Sequence, residues 1–334
     1  MAAQPDSGTG GSLSQQAAEG DASSNNGKTA GAGLADWMGK LPSHFLDVPL
    51  HNLAIPGSHN SGSYELRKEW GLSPDADQSL KNMTSIPLIG PMALDTILRW
   101  SKCQSLSVLQ QLKAGMRFLD FRVAYHTPTE ELYVVHSFYG PKVSTVMEEV
   151  KTFLDEHKDE VVLIDFNHFY DMELENHLQL ITYLLFAFDG LLCPYSSLNA
   201  LTLRSMREKG QRVVIFYQDS SVLDFGDLWP KHTILSAWAN TMKVEQCLAF
   251  QQNAAAHWGG GERFHVCQAV LTPDTNCIVQ KFGSGLHAEC AQKINGQVPA
   301  WVRSDAVKGC CRMVYTVDFV EEGGFVQSVV DLNK

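Results

Sequence analysis

The chain has 334 residues, 44% of them hydrophobic and 10% aromatic, which is enough apolar material for one large folded core or two modest ones. Its formal net charge of −11 gives no broad basic field, so nucleic acid is not expected as a partner. If the substrate lies in a membrane, a few apolar or basic loop residues should make a brief, local contact with the surface.

The first 33 residues contain no aromatic residue, valine or isoleucine, and they are rich in Gly, Ala, Ser, Gln and Asn. Such a segment buries too little apolar surface to offset its loss of conformational entropy. We therefore expect a disordered tail over residues 1–34 and one folded domain over residues 35–334. The tail lacks the basic start and apolar run of a secretory signal. The expected location is the cytoplasm, with peripheral contact to membranes.

Eight cysteines are scattered along the chain, and none of them forms a C-x-x-C pair. Structural zinc is therefore not expected. Without a secretory signal the thiols should be reduced. The adjacent Cys310 and Cys311 are expected to serve packing rather than redox chemistry.

From about Asp36 onward, short apolar runs alternate with amphipathic segments. The runs typical of strands are His51–Pro56, Arg117–Val123, Leu132–His136, Val161–Asn167, Arg212–Tyr217, Thr233–Ala237, Phe264–Leu271 and Met313–Phe319. The segments typical of helices are Ser105–Ala114, Val143–His157, Glu173–Phe188, Leu201–Lys209 and Val244–His257.

Nearly continuous apolar strands separated by helices predict a parallel sheet that is covered by helices on its outer side. Eight such strands in ~300 residues predict an α/β fold of the TIM-like (β/α)8 barrel type. An open, doubly wound sheet is the alternative, but no glycine fingerprint of a dinucleotide site follows the first strand. Residues 71–104 are the least regular part, and we expect them to form a wall or lid of a site between the first and second strands.

Polar residues stand where the predicted strands end, and active sites of such barrels lie at the carboxyl ends of strands. These residues are His59 and Asn60, Asp120 and Arg122, His136, Asp165, Asn167 and His168, and Asp318. Each has a structural alternative, such as a hydrogen-bonded histidine or a satisfied ion pair. Together, two histidines and an arginine can cleave a phosphodiester, because one imidazole accepts a proton, the other donates one, and a guanidinium binds the phosphoryl oxygens.

Four segments resemble the X-domain of phosphatidylinositol-specific phospholipase C, in the small eukaryotic proteins that have only this domain. They are Leu53-Ala-Ile-Pro-Gly-Ser-His59-Asn-Ser, Gly115-Met-Arg-Phe-Leu-Asp120-Phe-Arg122, Tyr133-Val-Val-His136 and Leu163-Ile-Asp-Phe-Asn-His168. The resemblance extends over about residues 35 to 320. It implies that the chain cleaves phosphatidylinositol-type lipids, or glycerophosphoinositol, to an inositol cyclic phosphate.

The resemblance also implies roles for individual residues. His59 is the general base that activates the inositol 2-hydroxyl, His136 is the general acid for the leaving oxygen, and Asp318 orients the base. Arg122 stands at the position where calcium-dependent relatives carry an acidic metal ligand and bacterial relatives carry an arginine. Substrate binding is expected for Asn60, Asp120, Asn167 and His168.

Neither a metal nor another cofactor is expected. Phe166 stands where the calcium-dependent enzymes have a glutamate ligand, so two acidic ligands are missing. Too few hard oxygens then remain for a calcium site of about six to eight ligands. Asn60, by contrast, resembles the metal-dependent enzymes rather than the bacterial ones.

Two other functions fit the same residues. A glycerophosphodiester phosphodiesterase would recruit Asp120, Asp165 and Asp318 to hold a divalent ion, although Arg122 would repel that ion. A catalytically idle X-domain would bind phosphoinositide headgroups or a protein. Protein partners themselves are not indicated by the sequence.

Overall fold

The computed structural model describes residues 33–87, 90–222, 225–258, 263–308 and 312–334. Almost all of the predicted tail, and the Cys310–Cys311 pair, lie outside the described residues. No helix in the described parts of the chain is long and apolar enough to cross a membrane.

Ten strands form one sheet within the described residues. They are β1 Ile55–Ser58, β2 Phe118–His126, β3 Glu131–Val135, β4 Tyr139–Lys142, β5 Val162–Tyr170, β6 Val213–Tyr217, β7 Trp229–Pro230, β8 Ile234–Ala237, β9 Phe264–Gln268 and β10 Val314–Val317. The α-helices are α1 Gln78–Thr84, α2 Gly90–Ser101, α3 Val108–Lys113, α4 Val143–Glu156, α5 Leu174–Ala187, α6 Leu203–Glu208, α7 Val244–Trp258, α8 Thr275–Gln280, α9 Gln292–Asn295, α10 Val298–Val302, α11 Asp305–Lys308 and α12 Phe325–Val330. A π-helical turn covers His287–Ala291, and short 3-10 turns cover Leu34–Asp36, Ser43–Asp47, Leu50–Asn52, Lys68–Trp70, Leu198–Ala200, Ser220–Val222, Lys231–Thr233 and Asp331–Asn333.

Eight parallel strands form a nearly closed barrel in the order β7-β6-β5-β2-β1-β10-β9-β8. The predicted (β/α)8 fold is therefore confirmed. The barrel stays open between β7 and β8, which are joined by the short turn Lys231–Thr233 instead of a helix. Within the described residues, the seam between β7 and β8 is the place where the barrel is not closed.

Alternate side chains along β6 pack into two different apolar clusters. Val214 and Phe216 pack in the same apolar cluster as residues of β9 and β10. Val213 and Ile215 pack in a second cluster with residues of α4 and α5. Since both faces of the strand are covered, a continuous apolar run is what a parallel barrel strand requires.

Two predicted elements differ from the structure. Leu132–His136 was expected to be a barrel strand, but β3 pairs antiparallel with β2 and with β4 and stands outside the barrel. The eighth barrel strand is instead β7, a two-residue strand that the sequence pattern did not predict. Residues 71–104 are also more regular than expected, because they contain α1 and α2.

The end of the barrel where the strands begin is closed by a buried ion pair. Arg117 donates from Nη2 and Nε to Oε2 of Glu160, at 2.6 and 2.8 Å, and both side chains are fully buried. The backbone amides of Met38 and Gly39 also donate to Glu160, and the Ala35 carbonyl accepts from Arg117. These bonds satisfy the buried charges and fix the start of the folded domain.

Candidate active site

A cavity of about 650 Å³ lies at the carboxyl ends of the barrel strands. Seven of the eight predicted site residues line it, namely His59, Asp120, Arg122, His136, Asn167, His168 and Asp318. Residues of α1 and α2 line it as well, as expected for the segment between the first two barrel strands. Residues separated by up to 259 positions in the sequence therefore share one cavity wall.

The turn after β1 presents His59 to this cavity. Gly57 is needed because a Cβ atom there would lie 2.9 Å from the Cβ of Phe118 on the neighbouring strand. Asn60 has a φ of 44°, a left-handed conformation that asparagine tolerates better than most residues. The Ser58 and Ser61 hydroxyls lie 2.6 Å apart across this turn. The turn is thus held by its own polar groups.

Both nitrogens of the His59 ring have partners. Nδ1 lies 2.8 Å from Oδ1 of Asp318, and Nε2 lies 3.1 Å from Nδ2 of Asn60. An ionised carboxylate only accepts hydrogen bonds, so Nδ1 carries the hydrogen and Nε2 keeps its lone pair. A histidine in this tautomer can accept a proton at Nε2.

Asn60 does not face the cavity, although substrate binding was expected for it. Its side chain is buried, and its amide contacts His59 and, at 3.7 Å, the sulfur of Cys103. Its backbone N–H donates to Oδ2 of Asp120 at 3.0 Å. Asn60 thus contacts the histidine from the buried side, and substrate binding by Asn60 stays a prediction.

His136 lies at the end of β3, in the hairpin outside the barrel. Its Nδ1 donates to the carbonyl oxygen of Ser101, at 2.6 Å, and its ring centroid lies 6.5 Å from that of His59. Burial, followed by the positive charge of Arg122, lowers its pKa from the usual 6.5 to about 4. The two imidazoles therefore lie close together in the wall of the same cavity.

Arg122 lines the same cavity as the two imidazoles. No carboxylate within the described residues forms a salt bridge with it, and its buried Nε has no hydrogen-bond partner there. The Tyr170 hydroxyl is its neighbour. A half-buried guanidinium without a salt bridge can bind an anionic ligand through its free N–H groups. The structural alternative of a satisfied ion pair does not apply.

A polar cluster forms the wall next to Arg122. A bulge in the pairing of β2 with β5 places Asn167 as the extra residue, so its amide turns toward Oδ1 of Asp120. His168 follows it and donates from Nδ1 to Oδ1 of Asn167, at 2.6 Å. Beneath them Asp165 is held by Gln218, and burial together with Asp120 raises the pKa of Asp165 to about 7.

Three residues near the site were not predicted. The Gln104 amide donates to the carbonyl oxygens of His59 and Val317, at 2.8 and 3.1 Å, and so ties β1 to β10. Cys103 is fully buried between Asn60 and His136, and burial raises the pKa of its thiol well above the usual value. Nothing in the sequence pattern distinguishes these two residues or Gln218 from ordinary packing residues.

The donor atoms do not suit calcium. His59, Cys103 and Asp318 offer ligand atoms within 4.8 Å of one another, but only Asp318 offers oxygen. That carboxylate is engaged by His59, and the oxygens of Asp120 are engaged by Asn60 and Asn167. A calcium ion needs about six to eight oxygen ligands, and Arg122 adds a fixed positive charge nearby.

Solved structures with the same arrangement of strands define the class of this fold. A phosphatidylinositol-specific phospholipase C from Listeria monocytogenes superposes with a TM-score of 0.65 and 18% identity, covering 90% of this chain and 99% of the bacterial one. A variant of the corresponding Staphylococcus aureus protein gives a TM-score of 0.63 and 18% identity, over 91% and 98% of the two chains. The fold is therefore that of the phosphatidylinositol-specific phospholipase C barrels.

Sequence relatives identify the family. The PI-PLC X model (PI-PLC X 1) matches residues 97–224. PI-PLC X domain-containing protein 2 from Mus musculus is 35% identical over 301 residues, covering 90% of this chain and 87% of the relative. PI-PLC X domain-containing protein 3 from Homo sapiens is 33% identical over 302 residues, with coverages of 90% and 94%. The chain belongs to the family of PI-PLC X domain-containing proteins.

Proposed function

We propose that this protein is a phosphoric diester hydrolase that cleaves phosphatidylinositol-type lipids without a metal ion, through its 35–334 barrel domain. The observation that carries the proposal is that Arg122, which forms no salt bridge within the described residues, lines the same cavity as two oriented imidazoles. The fold class and the family support it, and the neighbouring bacterial structures are named as phosphatidylinositol-specific phospholipases C.

The reaction needs two proton transfers. Nε2 of His59 takes the proton of the inositol 2-hydroxyl while that oxygen forms a bond to phosphorus. The bond from phosphorus to the diacylglycerol oxygen breaks, and His136 gives its Nε2 proton to that oxygen. The products are inositol 1,2-cyclic phosphate and diacylglycerol. Attack within one molecule makes the entropic cost of the first step small.

Arg122 supplies the electrostatic part of the mechanism. Its guanidinium can bind two phosphoryl oxygens, and it stabilises the negative charge that develops on them. The anionic substrate also opposes the effect of Arg122 on His136, so the pKa of His136 rises when the substrate binds. His136 acts as the general acid in its charged form, which the anionic substrate favours.

The remaining polar residues fit the inositol ring. Asp120, Asn167 and His168 line the cavity next to Arg122 and offer donors and acceptors for ring hydroxyls. Asp318 and Asn60 hold His59, and transient contact with a membrane surface brings the lipid to the cavity from the cytoplasmic side.

An assay for cyclic inositol phosphate tests the proposal. Purified protein should release it from phosphatidylinositol vesicles, and the His59→Ala variant should not. If the wild-type protein releases no cyclic or open inositol phosphate from phosphatidylinositol or glycerophosphoinositol, the proposal is wrong and a purely binding X-domain is the better description.

A further inference from the structure

One thiol lies among the polar groups of the candidate active site. Cys103 is fully buried, in the segment between α2 and α3. Its sulfur lies 3.7 Å from Nδ2 of Asn60, 3.5 Å from Nδ1 of His136 and 3.8 Å from the carbonyl oxygen of Ser101. Its backbone N–H donates to Oγ of Ser63 at 3.1 Å, which holds it against the turn after β1. The proposed reaction uses no thiol.

This thiol belongs to a set of three groups that can ligate a metal. His59, Cys103 and Asp318 each offer one ligand atom, and the three atoms lie within 4.8 Å of one another. Imidazole nitrogen, thiolate sulfur and carboxylate oxygen are the usual ligands of zinc, and three of them with one open position form a known type of zinc site. Zinc–ligand bonds of about 2.0–2.3 Å put such atoms roughly 3.3–3.8 Å apart, so shifts of about 1 Å close the set around an ion.

The charges of these groups suit zinc better than calcium. A zinc ion bonded to the Cys103 thiolate and the Asp318 carboxylate has no net charge, so the positive charge of Arg122 nearby opposes it only weakly. A calcium ion would gain a single carboxylate here, and sulfur and nitrogen are poor ligands for it. The donor set therefore favours zinc.

The contact between His59 and Asp318 fixes where such an ion lies. Oδ1 of Asp318 lies 2.8 Å from Nδ1 of His59, so an ion bonded to both residues takes the place of the hydrogen on Nδ1. The Cys103 thiol releases its proton to solvent, and the hydrogen of the neutral imidazole moves from Nδ1 to Nε2. A metal-bound imidazole usually donates its other N–H to an oxygen atom.

Asn60 offers an oxygen for that hydrogen bond. Its Oδ1 is buried and has no partner within the described residues, whereas Nδ2 of the same amide lies 3.1 Å from Nε2 of His59. Rotation of the amide by about 180° exchanges its two atoms, and Oδ1 then accepts from Nε2. A buried acceptor without a donor is unfavourable, so metal binding satisfies an atom that is otherwise unpaired.

We propose that His59, Cys103 and Asp318 form an inhibitory site for a zinc ion. Zinc on Nδ1 leaves Nε2 without the lone pair that accepts the proton in the proposed reaction, and it separates His59 from its carboxylate. The metal site does not depend on the proposed function, whereas the inhibition rests on it. Zinc is a reversible inhibitor of this protein and not a cofactor.

Zinc binding to the untagged full chain, freed of metals by dialysis against a chelator, tests the site directly. Calorimetry should show one zinc ion bound per chain at micromolar concentration or below. Cys103→Ser and Asp318→Asn should each weaken the affinity by about tenfold or more, because each removes a ligand. The double variant Cys310→Ser and Cys311→Ser is the control, since these adjacent thiols are another source of zinc ligands in the sequence. It should keep the wild-type Kd.

Cobalt(II) gives a spectroscopic measurement that needs no turnover. Its bond to a thiolate produces a sulfur-to-metal charge-transfer absorption band. The band should appear in the wild type and in the double-variant control, and it should be absent from Cys103→Ser and Cys103→Ala. Melting temperatures without metal show which variants fold, and if neither variant of Cys103 folds, the zinc affinity of Asp318→Asn decides. No band in the wild type, a band that persists in folded Cys103→Ser, or an unchanged affinity in Asp318→Asn would overturn the site.

The inhibition is measured as cyclic phosphate release at increasing zinc concentration. The wild-type rate should fall with a midpoint near the calorimetric Kd, and a chelator should restore it. The midpoint for Cys103→Ser, relative to its own rate without zinc, should be about tenfold higher or more. Equal midpoints, or activity that persists with zinc bound, would show that the site does not inhibit. If the wild type cleaves no substrate but the cobalt band depends on Cys103, the proposed function fails and the metal site stands.

Discussion

Nδ1 of His59 lies 2.8 Å from Oδ1 of Asp318, although 259 positions separate the two residues in the sequence. Barrel closure brings them together, because β1 and β10 are hydrogen-bonded neighbours with Ser58 opposite Val317. Each residue therefore directly follows one of two paired strands. The orientation of the histidine is a property of the whole barrel rather than of a local motif.

The first prediction concerns the two imidazoles. His59→Ala and His136→Ala should each lower kcat for cyclic phosphate release by roughly 10²–10⁴-fold, because each removes one partner in proton transfer. Melting temperatures and circular dichroism should stay close to those of the wild type. His257→Ala is the control, since His257 is exposed at the end of α7. Near-normal turnover in either of the first two variants would contradict their roles.

The second prediction compares two arginines in one sequence motif. Arg122→Ala should lower activity by about 10²-fold or more without loss of stability, because the guanidinium has no salt bridge in the described structure to lose. Arg122→Lys should recover only part of the activity, since lysine cannot bind two oxygens in the same geometry.

Arg117→Met is the matched variant. It should lower the free energy of unfolding by about 3–5 kcal/mol, because it leaves the buried Glu160 without its counter-charge. Urea unfolding and activity at a permissive temperature measure the two effects. A stability loss in Arg122→Ala as large as in Arg117→Met would show that Arg122 is structural.

The third prediction is that a strong chelator leaves activity unchanged and that added calcium does not raise it. The carboxylate oxygens at the site are engaged by amide groups and by His59, so too few remain for a calcium ion. Activity is measured after dialysis against chelator and again after calcium is restored. A loss that calcium reverses would favour the metal-dependent phosphodiesterase instead.

The barrel could be predicted from the sequence because its strands are buried on both faces. Arg212–Tyr217 was predicted and Val213–Tyr217 is observed, and the runs predicted at Val161–Asn167 and Met313–Phe319 overlap β5 and β10. Because the barrel strands are parallel, the residues near their carboxyl ends lie at one end of the barrel, and the structure of the connecting loops does not change this. This is why His59, Arg122 and Asp318 could be placed together.

Other features depend on contacts that a periodic pattern does not contain. The apolar run of β3 is the same for a parallel and an antiparallel strand, so its hairpin with β4 was missed. β7 is two residues long and ends in Pro230, too short to form a pattern. Gln104 and Cys103 reach the site from the segment before α3, and only tertiary packing reveals that they contact the turn after β1.

The fourth prediction concerns acid stability. Burial and Arg122 lower the pKa of His136 to about 4 in the folded chain, from about 6.5 when unfolded. A histidine with a lowered pKa contributes stability that is present above pH 6.5 and is lost as the pH falls toward 4. The melting temperature of the wild type should therefore fall over this range, and that of His136→Asn should fall less.

The comparison isolates His136 from other histidines whose pKa burial lowers, such as His51, His177 and His265, since both proteins retain them. Inositol phosphate should reduce the fall in the wild type more than in the variant, because an anion beside Arg122 raises the pKa of His136. Identical pH profiles for the two proteins would show that His136 is not neutralised in the empty cavity.

The fifth prediction returns to Asp318. Asp318→Asn removes the negative charge that stabilises the protonated His59 and lets an amide N–H face Nδ1, which favours the tautomer without a lone pair at Nε2. We expect kcat to fall by on the order of 10²-fold or more, with little change in KM, because the carboxylate acts on the base in the transition state. The Asp331→Asn variant, at a carboxylate bonded to Lys334 far along the C-terminal turn, is the control.

The decisive comparison combines His59→Ala, Asp318→Asn and the double variant in one cycle. If Asp318 acts only through His59, it has nothing left to orient once the imidazole is gone, so the double variant should be no slower than His59→Ala. Losses that multiply would instead mean that the carboxylate contacts the substrate itself. The pH profile of kcat/KM gives a second criterion: the acid limb should move to a different pH in Asp318→Asn, whereas a residue that only supports the fold would lower the whole curve without moving it.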